Sequence, residues 1–182
     1  MLGKTFGLCV VFLLAGCATD YSKKTSDEIA NNFTVVSSEF NSHDIYLGPS
    51  LLGSMDIFTQ YDIKLVAVKD KSTGILTDTI SFTWNYSRKS WLFFSSVVLP
   101  GPKALVTNMG SRKVNSCTVS SCSYTEVMSA VIPRAELLSV RSVGLRLRVS
   151  SAGGSADIFI PANYLEGYLV GVYSLTGLPP EG

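Results

Sequence analysis

Residues 80–99 read ISFTWNYSRKSWLFFSSVVL, and this stretch decides the fold class. The first seven residues alternate large apolar with small polar side chains, which is the pattern of a β-strand with one buried face. A four-residue polar break separates them from a second apolar run. This spacing predicts a hairpin with Tyr86 opposite Trp91. In the same register, Trp84 lies opposite Phe93.

The aromatic side chains of this stretch have two interpretations. As a buried set they fill a core, as aromatic residues on half-buried sheets usually do. As an exposed set they would stack on the sugar rings of a glycan. Serine and threonine take the opposite face of the first strand, which favours the core. The set is Phe82, Trp84, Tyr86, Trp91, Phe93 and Phe94.

A second hairpin follows near the end of the chain. Apolar residues alternate with polar ones from Val143 to Val149, and again from Ala156 to Ile160. The turn lies at residues 152–155, which include two glycines. Successive hairpins without regular strand–helix alternation favour a mainly β fold, an antiparallel β-sandwich or open barrel of about eight strands with one or two short helices.

Three segments depart from the β pattern. Pro133 and Pro161 each precede a run of helix formers, so each is expected at a first helical position. Residues 25–28 read TSDE, which fits a capping box and predicts a short helix from about Ser26 to Phe33. Its apolar face would be thin.

Composition limits the function classes. The chain has 182 residues, of which 46% are hydrophobic, and a formal net charge of +1. It is too apolar for disorder, and the total charge gives no indication of nucleic-acid binding. One histidine and four cysteines offer little material for a metal site. We therefore expect no metal and no cofactor.

The amino terminus has the pattern of a secretory signal over residues 1–16. Lys4 supplies a positive charge, and the apolar run from Phe6 to Leu14 is too short to span a membrane. The run ends in Leu14-Ala15-Gly16-Cys17, which resembles the lipobox of bacterial lipoproteins. That resemblance implies cleavage before Cys17, a diacylglycerol on its sulfur and an N-acyl chain. The alternative is an ordinary signal peptide followed by a chance cysteine.

The resemblance also implies a location. In such lipoproteins aspartate after the acylated cysteine favours the inner membrane, whereas here Ala18 follows Cys17. We expect a lipid-anchored protein of the outer membrane that faces the periplasm. The predicted divisions are an acylated amino terminus and tether at 17–34, one β-rich domain at 35–176 and a loose tail at 177–182.

Two cysteines remain for the folded domain once Cys9 is removed and Cys17 acylated. Cys117 and Cys122 are an even pair in an exported chain, which favours a disulfide. A pair of free thiols or two metal ligands are the alternatives. A structural zinc would need further Cys or His ligands, and only His43 could join them.

The candidate binding face is a basic row. Arg146 and Arg148 take the solvent-facing positions of their strand, and Arg141 lies nearby in sequence. The row could contact anionic headgroups, glycan phosphates or an acidic protein partner. A solvated face of little energetic value is the common alternative.

Catalytic residues are not assigned. The chain has no G-x-S-x-G, S-x-x-K, H-E-x-x-H or P-loop motif, and His43-Asp44 is its only neighbouring histidine and carboxylate. The leading hypothesis is a non-enzymatic domain that binds an envelope protein or supports envelope assembly. The alternatives are a glycan- or peptidoglycan-binding module that uses the aromatic hairpin, and a periplasmic hydrolase built from scattered residues.

Overall fold

The computed structural model describes residues 20–178. The predicted lipobox and sorting residues Leu14, Ala15, Gly16, Cys17 and Ala18 lie outside this range, as does most of the predicted tail. The strands are β1 (Thr34–Val36), β2 (His43–Leu47), β3 (Leu51–Asp56), β4 (Thr59–Asp70), β5 (Leu76–Arg88), β6 (Ser96–Leu99), β7 (Lys103–Ala104), β8 (Val106–Cys117), β9 (Cys122–Ile132), β10 (Leu145–Ser151) and β11 (Gly154–Ile160). The helices are α1 (Ser26–Ala30), α2 (Arg134–Val140) and α3 (Ala162–Thr176), and a 3₁₀ turn covers Tyr21–Lys23.

Two antiparallel sheets form the sandwich, which confirms the predicted fold class. The larger sheet has the order β1-β2-β4-β5-β9-β8, and β3 also pairs with β4. The smaller sheet has the order β11-β10-β6-β7. One continuous cluster of buried side chains joins the sheets to α1, α2 and α3.

Strand β5 is central to the larger sheet, and its alternation gives it one buried face that is apolar from Ile80 to Tyr86 and also carries buried Asp78. Ile80, Phe82, Trp84 and Tyr86 are all buried there, as the sequence predicts. The predicted hairpin partner is wrong, however. Trp84 lies opposite Tyr61 of β4 and Glu126 of β9, and not opposite Phe93.

Residues 91–95 form a loop without regular secondary structure, and only Ser96–Leu99 is a strand. The Phe94 ring folds back and stacks on Trp84, with the ring centroids 4.1 Å apart. Strands β4 and β9 each pair with β5 over eleven positions, which exceeds what a hairpin with residues 91–99 could offer. Residues 91–95 therefore form a loop over the sheet, in which Phe94 is buried and Phe93 is exposed.

The second hairpin is confirmed as β10 and β11, which pair from Leu145 opposite Ile160 to Ser151 opposite Gly154. Val143 lies outside it and is exposed. Pro133 and Pro161 are N-cap residues and not the first helical residues, so each helix begins one residue later than predicted, at Arg134 and Ala162. Helix α3 has 15 residues and is longer than the sequence predicts.

The segment predicted as a tether is folded from Tyr21 onward. The capping box is confirmed, since Thr25 and Glu28 bond reciprocally, although α1 ends at Ala30 rather than near Phe33. Ile29 is fully buried, and a Cβ at Gly167 of α3 would lie 2.6 Å from the Ile29 Cβ. The tether prediction is therefore wrong for residues 21–33, because one buried isoleucine and the close helix contact fix α1 to α3.

The polar residues 110–117 belong to a strand, because β8 continues to Cys117 along β9. A turn at residues 118–121 then places Cys117 opposite Cys122. Their sulfur atoms lie at disulfide distance, so the predicted pairing is confirmed. Among residues 20–178, no helix has the length and apolar character needed to cross a membrane.

Candidate binding cleft

Two of the three predicted arginines meet at one site. Arg146 and Arg148 project from β10 on the exposed face of the smaller sheet. The residues that alternate with them, Leu145, Leu147 and Val149, are buried. Arg141 follows the last residue of α2, is exposed and does not line this site. The predicted basic row is therefore two residues long.

Both arginines line a cleft of about 490 Å³, which we call the basic cleft. It lies where β6 turns away from β10. Gly101 has a φ of +76°, and a proline followed by such a glycine is typical of a type II turn. The cleft is lined by Val98, Leu99, Pro100, Gly101, Pro102, Arg146, Leu147, Arg148, Asp157, Ile158 and Phe159.

Arg148 is neutralised within the cleft. Its Nε and Nη2 donate to the two carboxylate oxygens of Asp157, at 2.6 and 2.9 Å. The hydrogen bond from Arg148, followed by the charge attraction, lowers the pKa of Asp157. Both side chains are exposed, so this pair contributes little to stability. Its effect is to hold the Arg148 fork in one orientation.

Arg146 forms no salt bridge with any of residues 20–178. Its guanidinium carbon lies 5.4 Å from the centroid of the Phe159 ring, a cation–π contact. Phe159 also lies against Gly144, where a Cβ would be 2.5 Å from the ring. The basic cleft thus presents one uncompensated cation beside a fixed, 49% exposed aromatic ring.

Phe159 was not among the residues that the sequence pattern indicated. The residue takes the solvent-facing position between Ile158 and Ile160, which are both buried. A phenylalanine in the polar phase of an alternating strand was the available indication, since large apolar side chains normally occupy the other face.

The core interpretation of the aromatic set is confirmed for Phe82, Trp84, Tyr86 and Phe94. Trp91 is half-buried and packs on Tyr124, with ring centroids 4.4 Å apart. Phe93 is 46% exposed and has a φ of +55°. Such a backbone conformation is unusual for a residue with a side chain, and the surrounding structure must hold it.

Glu126 holds this exposed loop, and no sequence pattern indicated this role for Glu126. The carboxylate is buried and accepts the Phe93 N–H at 3.0 Å and the Arg112 Nε–H at 3.0 Å. The Tyr86 hydroxyl also donates to Glu126 and accepts the Leu92 N–H. Burial, and then the bond to Glu126, raise the pKa of Tyr86. Arg112 in turn lies over the Phe93 ring.

A second buried carboxylate, Asp78, holds two helices against the larger sheet. Arg134 of α2 donates two hydrogen bonds to it, both 2.9 Å, and the Tyr168 hydroxyl of α3 donates another at 2.6 Å. These bonds tie both helices to β5. We assign Asp78 to the fold because its hydrogen bonds join α2 and α3 to β5.

The only histidine lies in a short polar chain. Ser42 Oγ is 2.7 Å from His43 Nδ1, and His43 Nε2 is 3.5 Å from Asp70 Oδ2. Asp70 Oδ1 accepts bonds from Ser72 and from the Thr73 N–H, and these lower the pKa of Asp70. The carboxylate therefore caps a turn. The His43 side chain is 48% exposed, and neither it nor Ser42 lines the basic cleft.

Over the described part of the chain, no three His, Cys, Asp or Glu side chains converge as metal ligands. Comparisons with known protein families, with curated proteins and with solved structures found no match for this chain.

Proposed function

We propose that this protein is an outer-membrane lipoprotein, anchored through acylated Cys17 and facing the periplasm, whose β-sandwich binds an envelope protein without catalysis. The observation that carries the binding part is the basic cleft, where Arg146 lies uncompensated beside Phe159. The lipobox resemblance of Leu14-Ala15-Gly16-Cys17 supports the anchor, and Ala18 supports the destination.

The chemistry of the cleft indicates the kind of partner. Val98, Pro100 and Phe159 offer apolar surface, while Arg146 offers a guanidinium fork to a carboxylate. Aromatic and arginine side chains contribute most of the binding energy at many interfaces. A partner that inserts an apolar side chain and places an acidic group beside it would satisfy both features.

The lining supports binding rather than group transfer. Apart from the two arginines, the only ionisable side chain in the lining is Asp157, whose carboxylate is held by Arg148. A nucleophile with an adjacent general base, which hydrolysis by an enzyme of the serine or cysteine type requires, is not among the lining residues.

The test is site-specific photo-crosslinking in the native envelope. Benzoylphenylalanine at position 159 keeps an aromatic ring in the cleft, and the same residue at position 58 is the matched control, since Phe58 is 57% exposed on the turn between β3 and β4. The proposal predicts one discrete protein adduct from position 159 and none from position 58. Equal, diffuse labelling from both positions would contradict it.

Glycan binding is a second candidate function, and the exposed ring of Phe93 favours it. Buried Glu126 fixes the Phe93 backbone in a strained conformation, and Trp91 and Arg112 lie beside the ring. Aromatic rings with an adjacent arginine suit the apolar face and hydroxyl groups of a sugar.

Binding to purified peptidoglycan tests this candidate. Phe93→Ala is expected to abolish binding, while Phe40→Ala, at an 89% exposed ring elsewhere, leaves it intact. Absence of binding by the unaltered domain would eliminate the candidate.

A further inference from the structure

The folded part of the chain begins very close to the proposed lipid anchor. Only three residues separate Cys17 from Tyr21, where the 3₁₀ turn starts. Four residue steps span at most about 14 Å in any conformation. A headgroup layer is about 5–8 Å thick. Tyr21 therefore cannot move far from the headgroups of the bilayer that holds the acyl chains.

The domain cannot gain reach by releasing its first turn and helix cheaply. Asn163 of α3 donates to the carbonyl oxygens of Ser22 and Lys24, at 3.1 and 2.6 Å. Ile29 is buried against Gly167, and Phe33 stacks on Tyr168 with ring centroids 5.9 Å apart. These contacts fix the amino-terminal segment to the sandwich, so the anchor holds one side of the whole domain near the membrane.

A cleft of about 500 Å³ lies on that side, and we call it the amino-terminal cleft. Its lining includes Tyr21, Leu47, Pro49, Leu52 and Lys64. The Leu52 side chain is 47% exposed on β3. Tyrosine and lysine suit a membrane interface because each carries apolar atoms below a polar end, and leucine adds apolar surface beside them.

Three ion pairs lie in the amino-terminal segment and on β4, and Lys64 of the last pair lines this cleft. Lys23 pairs with Asp20 at 3.5 Å, Lys24 with Glu28 at 2.8 Å and Lys64 with Asp62 at 3.9 Å. A surface of paired charges complements headgroups that carry both signs, and it does not depend on anionic lipid.

We propose that the amino-terminal cleft lies against the bilayer that holds the Cys17 acyl chains and receives zwitterionic phospholipid headgroups, so that the domain has a fixed orientation on the membrane. This inference rests on the proposed function, since it requires the anchor on Cys17. It adds that the short link places Tyr21, Leu52 and Lys64 at the headgroups.

The experiment uses the full-length, acylated protein in vesicles of phosphatidylethanolamine and phosphatidylcholine. Benzoylphenylalanine replaces Leu52, or Val114 as the matched control. Val114 is 46% exposed and lies on β8, at the opposite edge of the larger sheet. We expect about tenfold more protein–lipid adduct from position 52 than from position 114, as confinement by a short link predicts.

Two further measurements make each outcome decisive. A headgroup-diazirine lipid in the same vesicles should label the unsubstituted protein at peptides containing Tyr21 and Leu52. An insertion of about 20 Gly and Ser residues between Thr19 and Asp20 adds a span of about 25 Å and should lower the position-52 yield several-fold.

Equal adduct from positions 52 and 114 in acylated protein would overturn this inference alone. An unchanged yield after the insertion would overturn the role of the short link. An intact mass without acyl chains on Cys17 would overturn both this inference and the proposed anchor.

Discussion

The basic cleft and the amino-terminal cleft have nearly the same volume, about 490 and about 500 Å³, but they differ in how their charges are compensated. In the basic cleft, the single carboxylate of Asp157 is bound to Arg148, so Arg146 forms no salt bridge among residues 20–178 and lies beside Phe159. At the amino-terminal cleft, Lys64 is paired with Asp62. The two clefts therefore differ in charge and not in size, and our proposals of an acidic protein for one and zwitterionic lipid for the other rest on that difference.

The largest expected effect is on the stability of the whole domain, which carries both clefts. Trp84 is fully buried and packs on Phe94, Phe82 and Tyr61. Trp84→Ala is expected to cost about 3–5 kcal/mol, as large aromatic truncations in cores do. Because one buried cluster supports both clefts, urea denaturation should show a single transition at lower midpoint. An unaltered unfolding curve would contradict the assignment of Trp84 to the core. Two separate transitions would show that the two clefts do not rest on one core.

The next effect is a loss of partner binding that is confined to the basic cleft. Arg146→Glu reverses the uncompensated charge and should reduce the partner adduct from position 159 by about tenfold or more, since like charges at an interface cost several kcal/mol. The matched control is Arg141→Glu, an exposed arginine outside the cleft. Equal loss from both variants would show that general basic charge, and not the cleft, attracts the partner.

A smaller effect is confined to the amino-terminal side. Asn163→Ala removes the two hydrogen bonds to Ser22 and Lys24. We expect a loss of about 1 kcal/mol in unfolding free energy and faster amide exchange in α1, with the basic cleft unchanged. Asn41→Ala, in an exposed loop, is the control. Faster exchange in β10 or β11 would show that the two regions are coupled.

The smallest effect concerns pH. Hydrogen bonds from Lys24 and from the Thr25 N–H lower the pKa of Glu28 from 4.5 to about 2, and Arg148 lowers the pKa of Asp157. A carboxyl with a lowered folded-state pKa stabilises above its ordinary pKa and loses that contribution as pH falls toward the folded value. The Lys24–Glu28 and Arg148–Asp157 pairs should therefore stay formed from neutral pH to about 4.5. Carboxyl chemical shifts measure this directly, and titration of Glu28 at its ordinary pKa would contradict it.

Alternation along single strands predicted much of this structure. It identified the buried face of β5, the β10–β11 hairpin and the outward positions of Arg146 and Arg148, because side chains of a strand alternate between faces whatever its partners. It did not predict the partner of β5, because β9 lies some 40 residues further along the chain and competes with the nearer segment only in three dimensions.

Other features depend on contacts that a local pattern does not contain. The docking of α1 rests on Ile29 meeting Gly167 far along the chain. Residues 91–95 are apolar, and this pattern predicts a strand. The same apolar residues suit a loop that covers a sheet, so the local pattern does not distinguish the two. Glu126, in phase with buried Tyr124 and Met128, acquires its role from distant donors, namely Tyr86, Phe93 and Arg112.

Dependence of the partner adduct on the anchor tests the central claim most directly. Benzoylphenylalanine at position 159 would be compared in the acylated protein and in a Cys17→Ser variant exported behind an ordinary cleavable signal. Confinement to the partner's membrane raises the effective concentration, so the adduct should fall by about tenfold or more without the anchor while the unfolding curve stays the same. Equal adduct yield from the anchored and unanchored proteins would contradict the account.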